Sequence, residues 1–285
     1  MKHVQLLFLL LLAGLGFYQS CDEPNFEMED YQSKIVIDGW IEQGKFPQVL
    51  LTLSAPYFSD IDSASLRDYA LTRAKATISN GEVSEVLTLK PNNVYFPPYL
   101  YIGTSIKGEV GKTYTLTVEY AGIKAMAITT IPVPVTLDSV WFALEPNQDS
   151  LGLLWLKFTD PVEAKNYYRT LTQVKNKDTK YIPTYFPNFN DEYFNGQEIS
   201  VSLYKGNKIS TNKEDELYYT LGDTIMLKAT SIDKNSFEFW KTFQKEIINT
   251  GNPFASNNAR VKSNVTNGLG IWCGYGSTYY QVIAR

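Results

Sequence analysis

The chain is short of the residues from which most catalytic and metal centres are made. Its 285 residues include one histidine, His3, and two cysteines, Cys21 and Cys273. Zinc sites of the Cys/His kind need several such ligands at close spacing, and triad-type nucleophiles need a histidine base. Neither can be assembled here, so no metal, cofactor or catalytic set is expected. Runs of basic charge are missing too: 26 Lys+Arg stand against 30 Asp+Glu, for a net charge of −4. Nucleic-acid binding draws its affinity from phosphate neutralisation by Lys and Arg, so no nucleic-acid partner is expected.

One long apolar block is present, from Val4 to Phe17, behind the single basic residue Lys2. It is too short and too early for a spanning helix and has the layout of a secretory leader, so residues 1–20 read as a signal peptide. Ser20 lies directly before Cys21. An apolar run, a small residue and then a cysteine resemble a bacterial lipoprotein signal, although Tyr18 and Gln19 depart from the usual pattern. The resemblance implies cleavage before Cys21 and a lipid on its thiol. The alternative is an ordinary cleaved signal that leaves Cys21 as a free thiol. Each buried lipid methylene contributes about 0.8 kcal/mol, and two chains give stable anchoring. Residues 21–33, with DEPNFEMED at 22–30, read as an acidic, solvated tether. Acids just after the cysteine resemble a surface-export signal of Bacteroidota lipoproteins, which implies an outer-membrane anchor and leaves display at the surface or orientation toward the periplasm as the two alternatives. With His3 removed and Cys21 acylated, Cys273 has no cysteine left to pair with.

From residue 34 onward, short alternating runs predict strands. KIVIDGWIE (34–42) and QVLLTLSAP (48–56) form a first pair. AKATISNGEVSEVLTLK (74–90) folds back at Asn80-Gly81. In GKTYTLTVEYAGIKAMAITTIP (111–132), Gly122 supplies the turn. This spacing predicts an immunoglobulin- or fibronectin-like sandwich over 34–132, with Tyr114 either a corner tyrosine or a half-buried strand residue. IPVPV (131–135) interrupts the rhythm and places a domain boundary. A second β-rich domain, 136–285, follows, with strands in LDSVWFALE, SLGLLWLKFTD, NYYRTLTQVKN, QEISVSLYKG, DTIMLKATSID and IWCGYGSTYYQVIAR. It carries one amphipathic helix at about 235–250. Asn235 with Glu238 makes a capping box, and Phe237, Trp240, Phe243 and Ile247 form an apolar stripe for packing on a sheet. The fold class is therefore mainly β.

Three motif matches fail on context. GEVGKT (108–113) has Ile106 where a phosphate loop needs glycine, and a strand follows where a helix is required. SIDK (231–234) has Ser-x-x-Lys spacing without its companion motifs and reads as turn and cap chemistry. DID (60–62) and DE (191–192) lack the spacing of a calcium loop. The stretch with most promise is YIPTYFPNFNDEYFNG (181–196). Its rings Tyr181, Tyr185, Phe186, Phe189, Tyr193 and Phe194 show no strand alternation and are the candidate contacts for a ligand or partner. NNVYFPPYLY (92–101) is a smaller version. The competing expectation is that these rings fold back as a satellite core.

The segments GDTIMLKATSIDKNSFEFWKTFQ (222–244) and GNPFASNNARVKSNVTNGLGIWCGYGSTYY (251–280), with IVIDGW (35–40) and AITTIPVPVTLDSVWF (127–142), resemble an uncharacterised Bacteroidota lipoprotein family, a domain of unknown function. Its genes often lie beside TonB-dependent outer-membrane receptors. The resemblance implies a non-enzymatic outer-membrane lipoprotein, attached to the membrane by its lipid. It would bind a glycan or peptide ligand, or a TonB-dependent receptor, during nutrient uptake. A structural or adhesive surface protein and a carboxylate-based hydrolase are the alternatives. The family carries no known catalytic residues over to this chain, and Cys273 stands where it has a bland residue.

Overall fold

The structure, a computed structural model, describes residues 31–56, 65–206, 217–249 and 261–285. The signal peptide, Cys21, most of the tether and the DID stretch lie outside the described residues. The strands of the first half are β1 (Ile35–Glu42), β2 (Gln48–Leu53), β3 (Lys75–Ser79), β4 (Ser84–Val86), β5 (Thr88–Pro91), β6 (Tyr99–Ile102), β7 (Thr113–Tyr120) and β8 (Ile123–Thr130). The second half holds β9 (Ser139–Leu144), β10 (Leu151–Thr159), β11 (Tyr167–Val174), β12 (Ile182–Asn190), β13 (Glu198–Leu203), β14 (Tyr219–Thr220), β15 (Thr224–Ser231), β16 (Val265–Thr266) and β17 (Leu269–Ile283). A single helical turn, α1 (Ser65–Asp68), precedes β3, and the long helix α2 (Lys234–Asn249) follows β15. The protein is mainly β, as its alternating runs predict.

An eight-stranded sheet in the order β12-β11-β15-β17-β1-β2-β6-β5 is common to both halves. Among the described strands its one parallel ladder is at the centre, where β1 lies along β17 with Val36 opposite Leu269 and Glu42 opposite Tyr275. Period-two alternation gives this sheet two distinct faces. On the inner face, Ile35, Ile37 and Trp272 join Tyr114, Leu116 and Val118 of the five-stranded sheet β16-β8-β7-β3-β4 in one core. Further along the same face, Ile225, Leu227 and Val282 meet Leu154, Leu156 and Phe158 of the smaller sheet β13-β10-β14, which β9 extends. There are two sandwiches under one shared sheet, and Ser33–Arg285 forms a single compact unit. The N-terminal sandwich is not made from 34–132 alone, because β16 and β17 complete it.

The IPVPV segment, expected as a boundary, lies across the inner face of β17. Ile131 is buried in the first core and Val135 in the second, while the Thr278 hydroxyl donates to the Val135 carbonyl at 2.5 Å. The crossing requires glycine beneath it. A Cβ on Gly276 would stand 2.1 Å from the Pro132 oxygen, and one on Gly274 2.7 Å from the Thr130 oxygen. Prolines that stop ladder pairing are tolerated because this stretch packs on a sheet face and joins no ladder.

Tyr114 is a corner residue: fully buried, it accepts from the Glu109 amide at 2.8 Å and donates to the Lys107 carbonyl at 3.1 Å. The Trp272 indole donates to the Tyr114 carbonyl at 3.0 Å, tying the last strand to the first sandwich.

Helix α2 covers the outer face of the large sheet. Its cap differs from the expected box: Asp233 accepts the Ser236 amide at 2.7 Å, whereas Glu238 pairs with Lys262 at 2.6 Å. Asp233 wins because its second oxygen also takes the Thr129 hydroxyl, so one side chain caps the helix and fastens it to β8. The apolar stripe is only half used. Phe237 and Phe239 are buried with Ile271, Cys273 and Tyr275, while Phe243 and Ile247 remain exposed.

Candidate functional site

The aromatic stretch 181–196 is mostly a strand and not a free loop. β12 is the edge of the eight-stranded sheet, and its register on β11 jumps: Asn188 faces Arg169, then Pro183 faces Leu171. Four residues of β12, 184–187, thus oppose Thr170, which is why simple alternation is missing from the sequence. The six candidate rings part company accordingly. Phe189 and Phe194 pack inward against Phe158, and Phe189 also against Tyr168, as core. Tyr181 lies edge-on to Tyr279 at 5.8 Å. Tyr193 is 87 % exposed, and Tyr185 and Phe186, on the bulge, form an exposed edge-to-face pair at 4.6 Å. The satellite-core expectation holds for two rings, and three face solvent.

The bulge is held from behind. Gln244 of α2 donates to the Tyr185 carbonyl at 2.8 Å and accepts from Asn188 at 3.0 Å. Asn188 in turn accepts from the Arg169 guanidinium at 2.6 Å. A groove of about 420 Å³ between β9 and the end of β17 is lined by Trp141, Phe142, Tyr280 and Ile283, and by none of the six rings.

Sequence reasoning missed the outer face of the large sheet near α2. There β1 presents Asp38, Trp40 and Glu42; β11 presents Arg169; β15 presents Lys228; β17 presents Cys273, Tyr275 and Tyr279. Each charged residue sits inside an apolar strand at a position opposite in parity to the core residues, and that parity was the available signal. Glu42, 3 % exposed, accepts from Lys228 at 2.8 Å and from the Tyr279 hydroxyl, with Lys45 at 3.2 Å. Burial pushes the Glu42 carboxyl up, but the Lys228 charge and these hydrogen bonds outweigh it and hold the carboxyl below its usual range. Burial drives the Lys228 ammonium down in spite of Glu42. Two buried charges here satisfy each other.

Arg169 and Asp38 are different. Arg169 is 4 % exposed, and its guanidinium stacks 3.9 Å over the Trp240 ring. Its Nε has no hydrogen-bond partner, and it makes no ion pair with a carboxylate among the described residues. Asp38 is exposed to solvent, yet surrounding atoms crowd it enough to raise its carboxyl, against the opposing charges of Arg169 and Lys180. Tyr95 stands 5.5 Å from Trp40, and Lys180 sits 4.6 Å over the Tyr95 ring at the solvent side.

The remaining motif residues are structural. Asp191 of the DE pair is buried and accepts the Asn166 amide at 2.7 Å. Cys273 is fully buried, and desolvation, with the Asp233 charge, pushes its thiol up to about 12, which leaves it a packed, unreactive group.

The family profile described as a domain of unknown function, DUF4249, matches residues 22–281. The chain belongs to this family. The match begins one residue after Cys21, so the leader falls outside it and nearly all that follows lies within it. Comparison with curated proteins found no match.

Proposed function

We propose that this DUF4249 protein is a cell-envelope lipoprotein, held at the outer membrane by a lipid on Cys21. On this reading it serves a TonB-dependent uptake system as a non-enzymatic ligand-binding or accessory component. The observation that carries the reading is the fixed exposure of Tyr185 and Phe186. Two large rings stand out from a sheet edge on a bulge that Gln244 anchors, so little side-chain and backbone freedom is lost when a partner covers them. The start of the family match just behind Cys21 supports cleavage at that cysteine. The buried carboxylates Glu42, Asp160, Asp191 and Asp223 each have a hydrogen-bond partner within the fold.

The test is recovery from native membranes of tagged protein and of the double variant Tyr185→Ala/Phe186→Ala. A TonB-dependent receptor should come with the first and be lost from the second. Radiolabelled palmitate should enter the wild-type chain and not Cys21→Ala. Absence of both receptor and label would overturn the reading.

A further inference from the structure

The strand β9 has a partner on one side only. β10 runs beside it, from Leu144 opposite Gly152 to Ser139 opposite Lys157, without a break in register. The bonds at the strand ends show which residues face the other side. The Glu145 amide donates to the Leu151 carbonyl at 3.0 Å, and the Asp160 amide to the Gln197 carbonyl at 3.0 Å. Antiparallel strands bond through alternate residues. The odd residues of β9 therefore bond to β10, whose even residues bond to β13. Val140, Phe142 and Leu144 turn their N–H and C=O groups the other way, and among the described residues nothing bonds to them there.

An open edge is a template for another strand, and proteins normally guard it with charge, proline, a bulge or shortness. The other described edge strands of this protein show those guards. β12 carries Pro183, Pro187 and its bulge, and β5 has four residues ending in Lys90 and Pro91. β4, β14 and β16 have three, two and two residues, and β13 opens with Glu198. β9, SVWFAL, is six residues long with no charge, no proline and no bulge. The groove of about 420 Å³ lies against it. β9 supplies Val140, Trp141 and Phe142 to the lining and β10 supplies nothing, so the groove runs along the open edge. Tyr280, Val282 and Ile283 form the facing wall. The large sheet is open there too: β1 follows β17 only to Tyr275, and beyond it the Gln43 side chain accepts the Ser277 amide at 2.8 Å. The second sandwich is thus unsealed along one side, with a bare strand, an apolar wall and room between them.

We propose that this groove binds a short extended peptide, which adds to β9 as a further strand. Each of the three outward residues offers one donor and one acceptor, the main-chain pattern that only another strand completes. Alternate side chains of the peptide enter the groove against Tyr280 and Val282, so they are apolar. Charge sets the ends. Asp138 and Glu145 flank β9, and neither is in an ion pair among the described residues. Lys or Arg at both ends of the peptide answers them. The same acids oppose a second copy of this chain, because antiparallel pairing of β9 with another β9 would set each Asp138 beside the Glu145 of the other copy. Arg285 also lines the facing wall, but it is exposed and screened. The proposal names the ligand class within the ligand-binding role given above and rests on that reading. Because its assay uses purified protein and peptide, it can fail while receptor co-purification succeeds, and the converse.

Fluorescence anisotropy of dye-labelled, end-capped heptapeptides on the purified chain tests it. KVTVTVK and KFTFTFK carry small and large apolar residues at alternate positions, and at least one should saturate below about 1 mM. EVTVTVE, with its ends reversed in charge, should bind at least about fivefold more weakly at low salt. KVTPTVK, whose proline breaks the strand, should show no saturation. Leu144→Pro removes a donor that β10 does not use, at an edge position where proline is admissible. It should melt as the wild type does and lose about tenfold in affinity, whereas Leu144→Ala, which keeps the donor, should stay within about threefold. Should Leu144→Pro fail to fold, the proline peptide carries the test. The proposal is overturned by saturation with neither lysine-ended peptide, by equal binding of KVTPTVK or EVTVTVE, or by unchanged affinity in folded Leu144→Pro. A dimer in sedimentation that Leu144→Pro dissociates would also overturn it, since a second copy would then hold the edge.

Discussion

Replacing Gly276 with alanine tests the central feature of the fold, the chain crossing that makes two sandwiches share one sheet. The added Cβ would stand 2.1 Å from the Pro132 oxygen, 3.0 Å from its carbonyl carbon and 3.1 Å from the Pro134 nitrogen. An ordinary C···O approach is about 3.3 Å or more, so the crossing segment must retreat by about 1 Å. It has little room to do so, because Ile131 is locked in one core and Val135 in the other. All three close atoms belong to backbone, so no side-chain rotation relieves the clash.

Overpacking of this kind costs about 1–3 kcal/mol, and with backbone clamped on both sides Gly276→Ala is expected at about 3 kcal/mol. For a unit of this size, 1 kcal/mol lowers Tm by about 2–4 °C, so the loss should be about 6–12 °C. Thermal unfolding followed by circular dichroism and by tryptophan emission measures it, with both probes shifting together because both cores touch the crossing. Gly81→Ala is the comparison. Gly81 has φ +91° with nothing within 4 Å of the added carbon, so only backbone strain of about 1 kcal/mol applies. If Gly276→Ala melts no lower than Gly81→Ala, or only one of two separated transitions moves, the crossing is not clamped and the halves are independent domains.

Three further outcomes follow from the outer face and the β12 edge. Glu42→Leu strands the Lys228 charge and should cost about 3–5 kcal/mol, while Glu42→Leu/Lys228→Met should recover most of that loss in denaturant titrations. Since the folded-state carboxyl of Glu42 is held below its ordinary 4.5, its stabilisation is present above that pH and should fade as acid passes the folded value. Asp38 has the opposite sign: its carboxyl is raised above 3.8, so the ionised form opposes folding at neutral pH. Asp38→Asn should therefore raise Tm at pH 7, and the gain should vanish once the pH is below 3.8, where the native side chain is protonated in both states. Phe189→Ala, which empties a place beside Phe158 and Tyr168, should cost about 3 kcal/mol. Tyr193→Ala should change stability by no more than about 0.5 kcal/mol, and equal losses in the two would refute the division of the aromatic stretch.

The strands could be read from the sequence where one face is buried and the other wet. IVIDGWIE, TYTLTVEY and TIMLKATS all alternate, and all are strands. What alternation cannot reveal is which strand lies beside which. The parallel join of β1 to β17 brings together segments more than 230 residues apart, and this is why IPVPV looked like a linker. Its neighbours on β17, Gly274 and Gly276, are spaced by two and hint at a close approach to one face, but not at what approaches. β12 was missed for a local reason: the bulge shifts parity midway, so Thr184 and Pro187, three apart, are both buried while the adjacent Tyr185 and Phe186 are both exposed. The charges of the outer face were overlooked because each stands alone in its own strand. Asp38, Arg169 and Lys228 become neighbours only when β1, β17, β15 and β11 are placed in order.

That ordering also provides an internal comparison. Glu42–Lys228 and Asp38/Arg169 lie on the same face of the same sheet, and each set contains one acid and one base. Had folding alone shaped this face, the second set would be expected to close as the first does, since an unmet buried guanidinium opposes stability. It stays open, with the Arg169 Nε unmet and Asp38 in contact with water. The open set is also the one wired to the surface: Arg169 holds Asn188, Asn188 holds Gln244, and Gln244 holds the Tyr185 backbone. Arg169 and the exposed ring pair thus rest on one hydrogen-bonded support. Removing the Arg169 guanidinium would take away the donor that fixes Asn188, so a residue buried on the outer face also sets the posture of Tyr185 and Phe186.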